Sequence, residues 1–470
     1  IYGTTGTGGR IKTTGNQTYA GPVNGPTDTA LNLELISGGT VTASGIVTAS
    51  NLLLTPYSSG SGTFDFSAAS NKIGTVACGG DSLKAASVSI KNGQALILGS
   101  LTSVATGSPV YNGITASGTV VLNVTGALTV NYAVTAGGAI DIDSTSTVTT
   151  SAGASITGTT GAVTIDSTGV TTLADAVTTT TGNITFGGTL TGALSTSGSI
   201  TTSGGSVTFG RAVTITDAVA ITTSGGAVSF NSALDSDSTA RTLTVSSGSG
   251  TVTFSGAEGS AYPLASLDAS LSTGAIAING GSVMTTGIQS YGGSVTLGSD
   301  ASLTANSTPS AAGGTASTVP FSATVTGNSH SLTLGKSSPS VLTNVVFGNE
   351  LTDTVDGITA LIVYGTAYFA GTTGGTTAIT SVAVTGTSTI SAAITTTGAQ
   401  TYSGAVTLGA AATLTSSSSG NISVGAVGST AAVISSGYAI TVSTGGTVLF
   451  SGGFTGATTL IGTAGTTSIY

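Results

Sequence analysis

An all-β fold follows from the sequence: a right-handed parallel β-solenoid (a β-helix) of about 20–24 residues per coil, wound into an elongated rod. Three features point there. Segments such as Ser206-Val207-Thr208-Phe209, Ala227-Val228-Ser229-Phe230 and Thr251-Val252-Thr253-Phe254 put Val and Phe on one face and Thr or Ser on the other. That is the period-two signature of a half-buried strand. The apolar residues closing such segments, Leu122, Ile142, Ile165, Phe186, Phe209, Phe230, Phe254 and Ile278, lie 20, 23, 21, 23, 21, 24 and 24 residues apart. A recurrence at that interval marks a repeat array in which each unit buries its apolar face on the one before. Finally, Glu, Lys, Arg and Gln are too scarce to build long helices.

The elements follow in order. Each coil is expected to hold two or three short strands joined by Gly, Ser and Thr turns. Glycine supplies positive φ at corners without steric cost. Phe186, Phe209, Phe230 and Phe254 are expected to form an interior aromatic stack. At about 4.8 Å per coil, roughly 21 coils make a rod on the order of 100 Å long. A leucine-rich repeat would need a Leu/Asn framework that the chain lacks, and a propeller blade would need about 40–50 residues. Residues 1–304 read as solenoid, with an irregular section near 50–110 that carries Lys72, Lys84 and Lys91, read as a solvated face. Residues 305–375 read as an atypical or looped-out section. Pro309, Pro320 and Pro339 fall there with His330, Lys336, Glu350, Asp353 and Asp356, and proline cannot donate to a ladder. Residues 376–470 read as solenoid again.

A longer motif, T-T-G-x-Q-[ST]-Y-x-G-x-V, occurs three times. It runs from Thr13 through Gln17 and Tyr19 to Val23, from Thr285 through Gln289 and Tyr291 to Val295, and from Thr396 through Gln400 and Tyr402 to Val406. Its residues suit a structural corner: Gln bonds turn backbone and Tyr covers the core. The competing reading is ligand binding by the three Gln/Tyr pairs.

These V-T-F-x-G coils, the T-T-G-x-Q-T-Y-x-G-x-V-T-L-G segment and the stretch from Phe254-Ser255-Gly256-Ala257 to Pro263-Leu264-Ala265-Ser266-Leu267 resemble the repeat region of filamentous-haemagglutinin-like large exoproteins. The likeness covers most of residues 110–300 and 376–420, plus 11–23. It implies a bacterial β-helix adhesin or surface fibre, secreted by a Gram-negative cell, often by two-partner secretion. The amino-terminal secretion domain of that family is not recognisable here.

Composition narrows the function classes. Only 5% of residues are charged, Gly numbers 73, Trp is absent, and the net charge is −9; an ordinary soluble protein is roughly 25% charged. A single cysteine, Cys78, excludes a disulfide scaffold. Eight basic residues cannot form a phosphate-tracking groove, so no nucleic-acid partner is expected. The apolar residues are dispersed among Thr, Ser and Gly, and no run reaches the roughly 18 residues of a helical membrane span. The chain opens at Ile1 with no basic and apolar leader, which reads as a processed or partial chain. Low lysine content with abundant Thr, Ser and Gly points to an extracellular or cell-surface location.

Catalytic constellations are sparse. His330 stands alone among serines in Asn328-Ser329-His330-Ser331, and no G-x-S-x-G elbow supports a triad. Cys78 follows an alternating strand and reads as a small buried residue. One His and one Cys are too few for zinc. Asp141 and Asp143 lie two apart on one strand face, and Asp235 and Asp237 lie in a turn near Arg241. Such pairs could bind Ca²⁺ or do acid/base work, but they lack the basic and aromatic company of a sugar-cleaving groove. No catalytic, cofactor-binding or metal residue is therefore assigned, and no enzyme is expected. The expected product is a structural solenoid: a surface fibre, filament subunit or adhesin stalk. Its uncharged ends, Ile1-Tyr2-Gly3 and Ser468-Ile469-Tyr470, suggest head-to-tail self-association or further repeats of the same chain. Cell-surface or glycan ligands fit the adhesin reading. Polysaccharide binding or cleavage, and ice binding by a threonine-bearing face, are the alternatives. Against ice, the outer residues Thr185, Thr208, Ser229 and Thr253 vary and the coil length drifts.

Overall fold

β-Branched residues alternating with small polar ones favour a pleated surface with one wet face. The chain follows that preference throughout. The computed structural model describes residues 8–25, 32–80, 82–104, 109–305, 317–337, 340–341, 343–348, 352–425, 433–434, 437–452, 454–455, 460–463 and 466–469. Pro309, Pro339, Glu350, residues 1–3 and Tyr470 lie outside them. The described residues contain strands and turns but no helix. The strands stack in parallel, coil upon coil, as a β-solenoid. The chain divides into two units, Ile1–Ala227 and Val228–Tyr470.

In the first unit each coil carries three strands, one per face. Ile114–Ala116, Val120–Val124 and Leu128–Val130 pair in register with Val134–Ala136, Ile140–Ser144 and Val148–Thr150 of the next coil. Ile156–Gly158, Val163–Ser167 and Thr171–Leu173 follow, then Val177–Thr179, Ile184–Phe186 and Leu194–Thr196. The inward residues Ile114, Val134, Ile156, Val177 and Ile200 form one continuous buried column. Phe186 lies flat against Phe209, ring centroids 5.3 Å apart, an arrangement that contributes about 0.5–1.5 kcal/mol beyond area burial.

Coils approach one another closely at their corners. A Cβ placed on Gly182, Gly205 or Gly226 would collide with the backbone of Gly161, Gly182 or Gly205, one coil back. Close approach, more than positive φ, therefore explains the glycine at those corners.

Near residues 50–110 the coil is irregular and carries an outer layer. The long strands Val47–Pro56 and Ser61–Cys78 each turn a corner without breaking and serve two faces. An antiparallel hairpin, Ser100–Thr102 with Val110–Asn112, packs Leu101 and Tyr111 against Leu53 and Ala77. Buried Glu34 ties it down. Ser103 Oγ donates to Glu34 Oε1 at 2.8 Å and the Val104 amide to Oε2 at 3.2 Å, while Arg10 Nε lies 3.5 Å from Oε2. Lys72, Lys84 and Lys91 are exposed.

The second unit repeats the scheme. Phe230 stacks on Phe254 at 5.3 Å. Between 305 and 375 the coils lengthen: Ser331 meets Asp300 across 31 residues, and Thr359 meets Ser329 across 30. The interior nevertheless holds register. Ser317–Phe321, Thr343–Phe347 and Ala367–Phe369 stack in sequence, and Tyr291, Phe321, Phe347 and Phe369 form a ladder with centroid spacings of 5.2, 5.5 and 5.3 Å. One departure from the parallel stack is the small antiparallel pair Lys336–Ser337 and Ser340–Val341. Pro320 sits within Ser317–Phe321. It pairs in register with Val346, and the pairing of its strand to the preceding coil is confined to Phe321 opposite Tyr291.

Candidate functional site

The three motif copies resolve into one construction. At the third, Gln400 Nε2 donates to Ile394 O, Thr396 Oγ1 and Thr415 O at 3.2, 3.2 and 2.8 Å. Tyr402 Oη donates to Gln400 Oε1 at 3.1 Å, and Thr396 Oγ1 donates to Gly398 O at 2.7 Å. The second copy matches: Gln289 Nε2 to Val283 O and Thr285 Oγ1 at 3.1 and 3.3 Å, Tyr291 Oη to Gln289 Oε1 at 3.1 Å, Thr285 Oγ1 to Gly287 O at 2.6 Å. In the first, Gln17 Nε2 donates to Ile36 O at 2.7 Å and Thr13 Oγ1 at 3.2 Å, and Tyr19 Oη to Gln17 Oε1 at 2.7 Å. Alternation explains the spacing. Thr, Gly, Gln and Tyr sit two apart on one side of a chain that bends at the glycine, so three side chains converge inside the corner. Gln289, Tyr291, Gln400 and Tyr402 are fully buried. Burial pushes the Tyr291 and Tyr402 hydroxyls far above the usual phenol range. Tyr291 and Tyr402 do not cover the core but lie within it, Tyr291 flat against Phe321, whereas Tyr19 is half-buried.

An acidic groove lies in the first unit. Asn123, Asp143 and Asp166 are consecutive outward rungs of one ladder, with Asp141 beside them. Asp166 Oδ2 accepts from the Leu190 amide at 2.9 Å, and Arg211 holds Gly188 O at 3.0 Å. This folds the segment after Phe186 back over the face. A space of about 230 Å³ remains, lined by Asn123, Asp143, Ser144, Thr145, Thr189 and Leu190. Desolvation raises the Asp143 pKa, with Asp141 and Asp166 adding to it; desolvation and Asp166 raise that of Asp141. Like charges this close resist joint ionisation. Among the described residues, no group of three or more His, Cys, Asp or Glu is arranged to hold a metal.

The second aspartate pair, Asp235 and Asp237, is occupied by the fold. Asp237 takes a two-pronged bond from Arg241, Nε to Oδ1 at 3.0 Å and NH2 to Oδ2 at 2.9 Å, which holds its carboxyl below the usual range. Asp235 instead accepts the Ala261 and Tyr262 amides from the next coil. The two aspartates serve different loops. His330 Nδ1 lies 3.6 Å from the exposed Asp300 carboxylate in a surface turn, and no serine hydroxyl among the described residues bonds its ring. Cys78 is buried, and burial pushes its thiol far up. Thiolate is the nucleophilic form, so an enclosed thiol of this kind is inert.

Several chemically important residues carried no motif. Asn71 and Asn92 are buried corner clamps. Asn71 Nδ2 donates to Phe66 O at 2.7 Å and Lys91 O at 2.9 Å, and Asn92 Oδ1 accepts from the Ile73 amide at 2.9 Å. Coil spacing was the available signal for two others. Asp166 follows Asp143 by the interval separating Ile165 from Ile142, and Glu258 follows Leu234 by that separating Phe254 from Phe230.

No family model, curated protein or solved structure matches this chain. No helix among the described residues is long and apolar enough to cross a membrane.

Proposed function

We propose that this chain is a structural β-solenoid, a stretch of an extracellular surface fibre, filament subunit or adhesin stalk, and not an enzyme. The observation that carries the reading is the destination of the repeated motif. The most regularly repeated polar residues, Gln289, Tyr291, Gln400 and Tyr402, spend their hydrogen-bonding capacity on one another and on corner carbonyls. Repetition here serves winding. The likeness to filamentous-haemagglutinin-like repeats supports the bacterial cell-surface setting. Self-association through coil ends, into a filament or onto further repeats, is the proposed partnership, with cell-surface or glycan ligands for the adhesin form. Electron microscopy and size-exclusion chromatography of the purified chain test it. Long fibres without ligand support a filament subunit. Short particles that bind cells or glycans support an adhesin. Polysaccharide cleavage lost in Asp141→Ala or Asp235→Ala would overturn the structural reading.

A second reading rests on one face of the first unit. Thr115, Thr135, Thr157, Thr178, Thr201 and Thr222 occupy six successive outward rungs in register, without interruption. Hydroxyls and methyls repeating at about 4.8 Å favour ice binding more than the variable Thr185 column does. Thermal hysteresis, present in the wild type and abolished by Thr157→Lys with Thr201→Lys, would establish it.

A further inference from the structure

Glu258 is the anomaly of the second unit. Its backbone is an ordinary rung: it bridges Leu234 on one side and Val283 on the other, the Glu258 amide donating to Ser282 O at 2.9 Å and the Met284 amide to Glu258 O at 2.8 Å. Its side chain points into the core. Leu234, Leu264 and Val283, like Glu258 itself, are 0% exposed. Both carboxyl oxygens are enclosed and have no hydrogen-bond partner among the described residues. The other buried carboxylates differ in this respect: Glu34, Asp166 and Asp356 each accept two or more hydrogen bonds.

We propose that Glu258 makes the stretch from Val252 to Met284, its own coil and the start of the coil stacked on it, a proton-controlled opening point of the second unit: closed while the carboxyl keeps its proton, and driven open when the proton is lost. An isolated carboxylate in an apolar enclosure is the costliest of buried groups, whereas the protonated acid is merely an unpaired polar one. The titratable groups acting on it offer no relief. Asp235, on the preceding coil, is itself acidic, and the Tyr291 hydroxyl already donates to Gln289. No cation is paired with the carboxyl among the described residues. Desolvation pushes the Glu258 pKa up to about 9 from its ordinary 4.5; the Leu234 backbone opposes the rise and Asp235 adds to it. Between those two values the closed coil holds a proton that the opened coil releases. Opening is therefore favoured by rising pH, by about tenfold per unit. The device concerns the coil itself and stands whatever the outer faces bind.

Hydrogen exchange of the full chain, followed by mass spectrometry from pH 5.5 to 9 and divided by intrinsic exchange rates, tests this. The opening equilibrium of peptides covering Val252–Phe254 and Ser282–Met284 should rise about tenfold per pH unit in the wild type. It should be flat in Glu258→Gln and flat in both proteins over Val406–Leu408. Glu258→Met gives the same comparison should the glutamine variant fail to fold. Equal slopes in wild type and variant would overturn the proposal, as would a pH-dependent opening spread evenly along the unit.

Discussion

Replacing Tyr402 with Phe removes one oxygen and nothing else, which makes it a sharp probe of the corner construction. In the wild type the phenol donates to Gln400 Oε1 at 3.1 Å, and both residues are fully buried. The variant leaves that Oε1 enclosed without a donor. Stranding a buried acceptor costs about 1–3 kcal/mol, against about 0.5–1.5 for a typical net hydrogen bond. Gln400→Ala should cost more. It strands the Tyr402 hydroxyl, frees the carbonyls of Ile394 and Thr415, and leaves a void where the amide stood. Gln400→Leu with Tyr402→Phe removes both partners together, so its cost should fall short of the two single costs added, by a coupling of about 1–2 kcal/mol. Tyr291→Phe should behave as Tyr402→Phe does. Tyr19→Phe should cost less, because Tyr19 is only half-buried and water can replace the lost donor at Gln17. Urea unfolding followed by circular dichroism, with the midpoint shift converted through a common m-value, gives the ranking. Tyr402→Phe costing under about 0.5 kcal/mol, or a double variant that is strictly additive, would refute the idea that the repeated Gln and Tyr act as one unit.

Other consequences are open to simpler assays. Phe347 stands between Phe321 and Phe369, and Phe347→Ala should cost about 3–5 kcal/mol in the same unfolding experiment. Gly205→Ala forces a methyl against the Gly182 backbone and should cost about 1–3 kcal/mol, while Gly204→Ala, which meets nothing nearby, should be neutral; thermal melts of the pair distinguish them. Cys78 should resist a thiol reagent in the folded protein and react fully in urea, its burial holding the thiol protonated. Asp143→Asn should raise the melting temperature at pH 7 and not at pH 3. The wild-type carboxyl has a folded pKa above its unfolded one, so its penalty is absent below the unfolded value and grows as pH rises above it.

Much of this architecture is legible in the primary structure. Period-two alternation fixes which side chains face inward, and the interval of 20 to 24 residues fixes which of them meet. Phe186 on Phe209 and Phe230 on Phe254 follow by counting. The Thr-Gly-Gln-Tyr corners are recognisable because the same residues recur two apart at three places. Within residues 305–375 counting loses its hold. Coil length there swings between about 30 and about 20 residues, so the Tyr291-Phe321-Phe347-Phe369 ladder has no constant period to betray it. The outer hairpin over Leu53 and Ala77 was invisible for a related reason: its contacts lie outside the repeat, between residues about 70 apart joined through Glu34. A linear pattern records neighbours along a strand and along the stack. Whether a buried polar side chain finds a partner depends on what the tertiary fold brings against it. Glu34, beneath the outer hairpin, gains an arginine and two hydroxyls, and Glu258, inside the coil, gains none among the described residues.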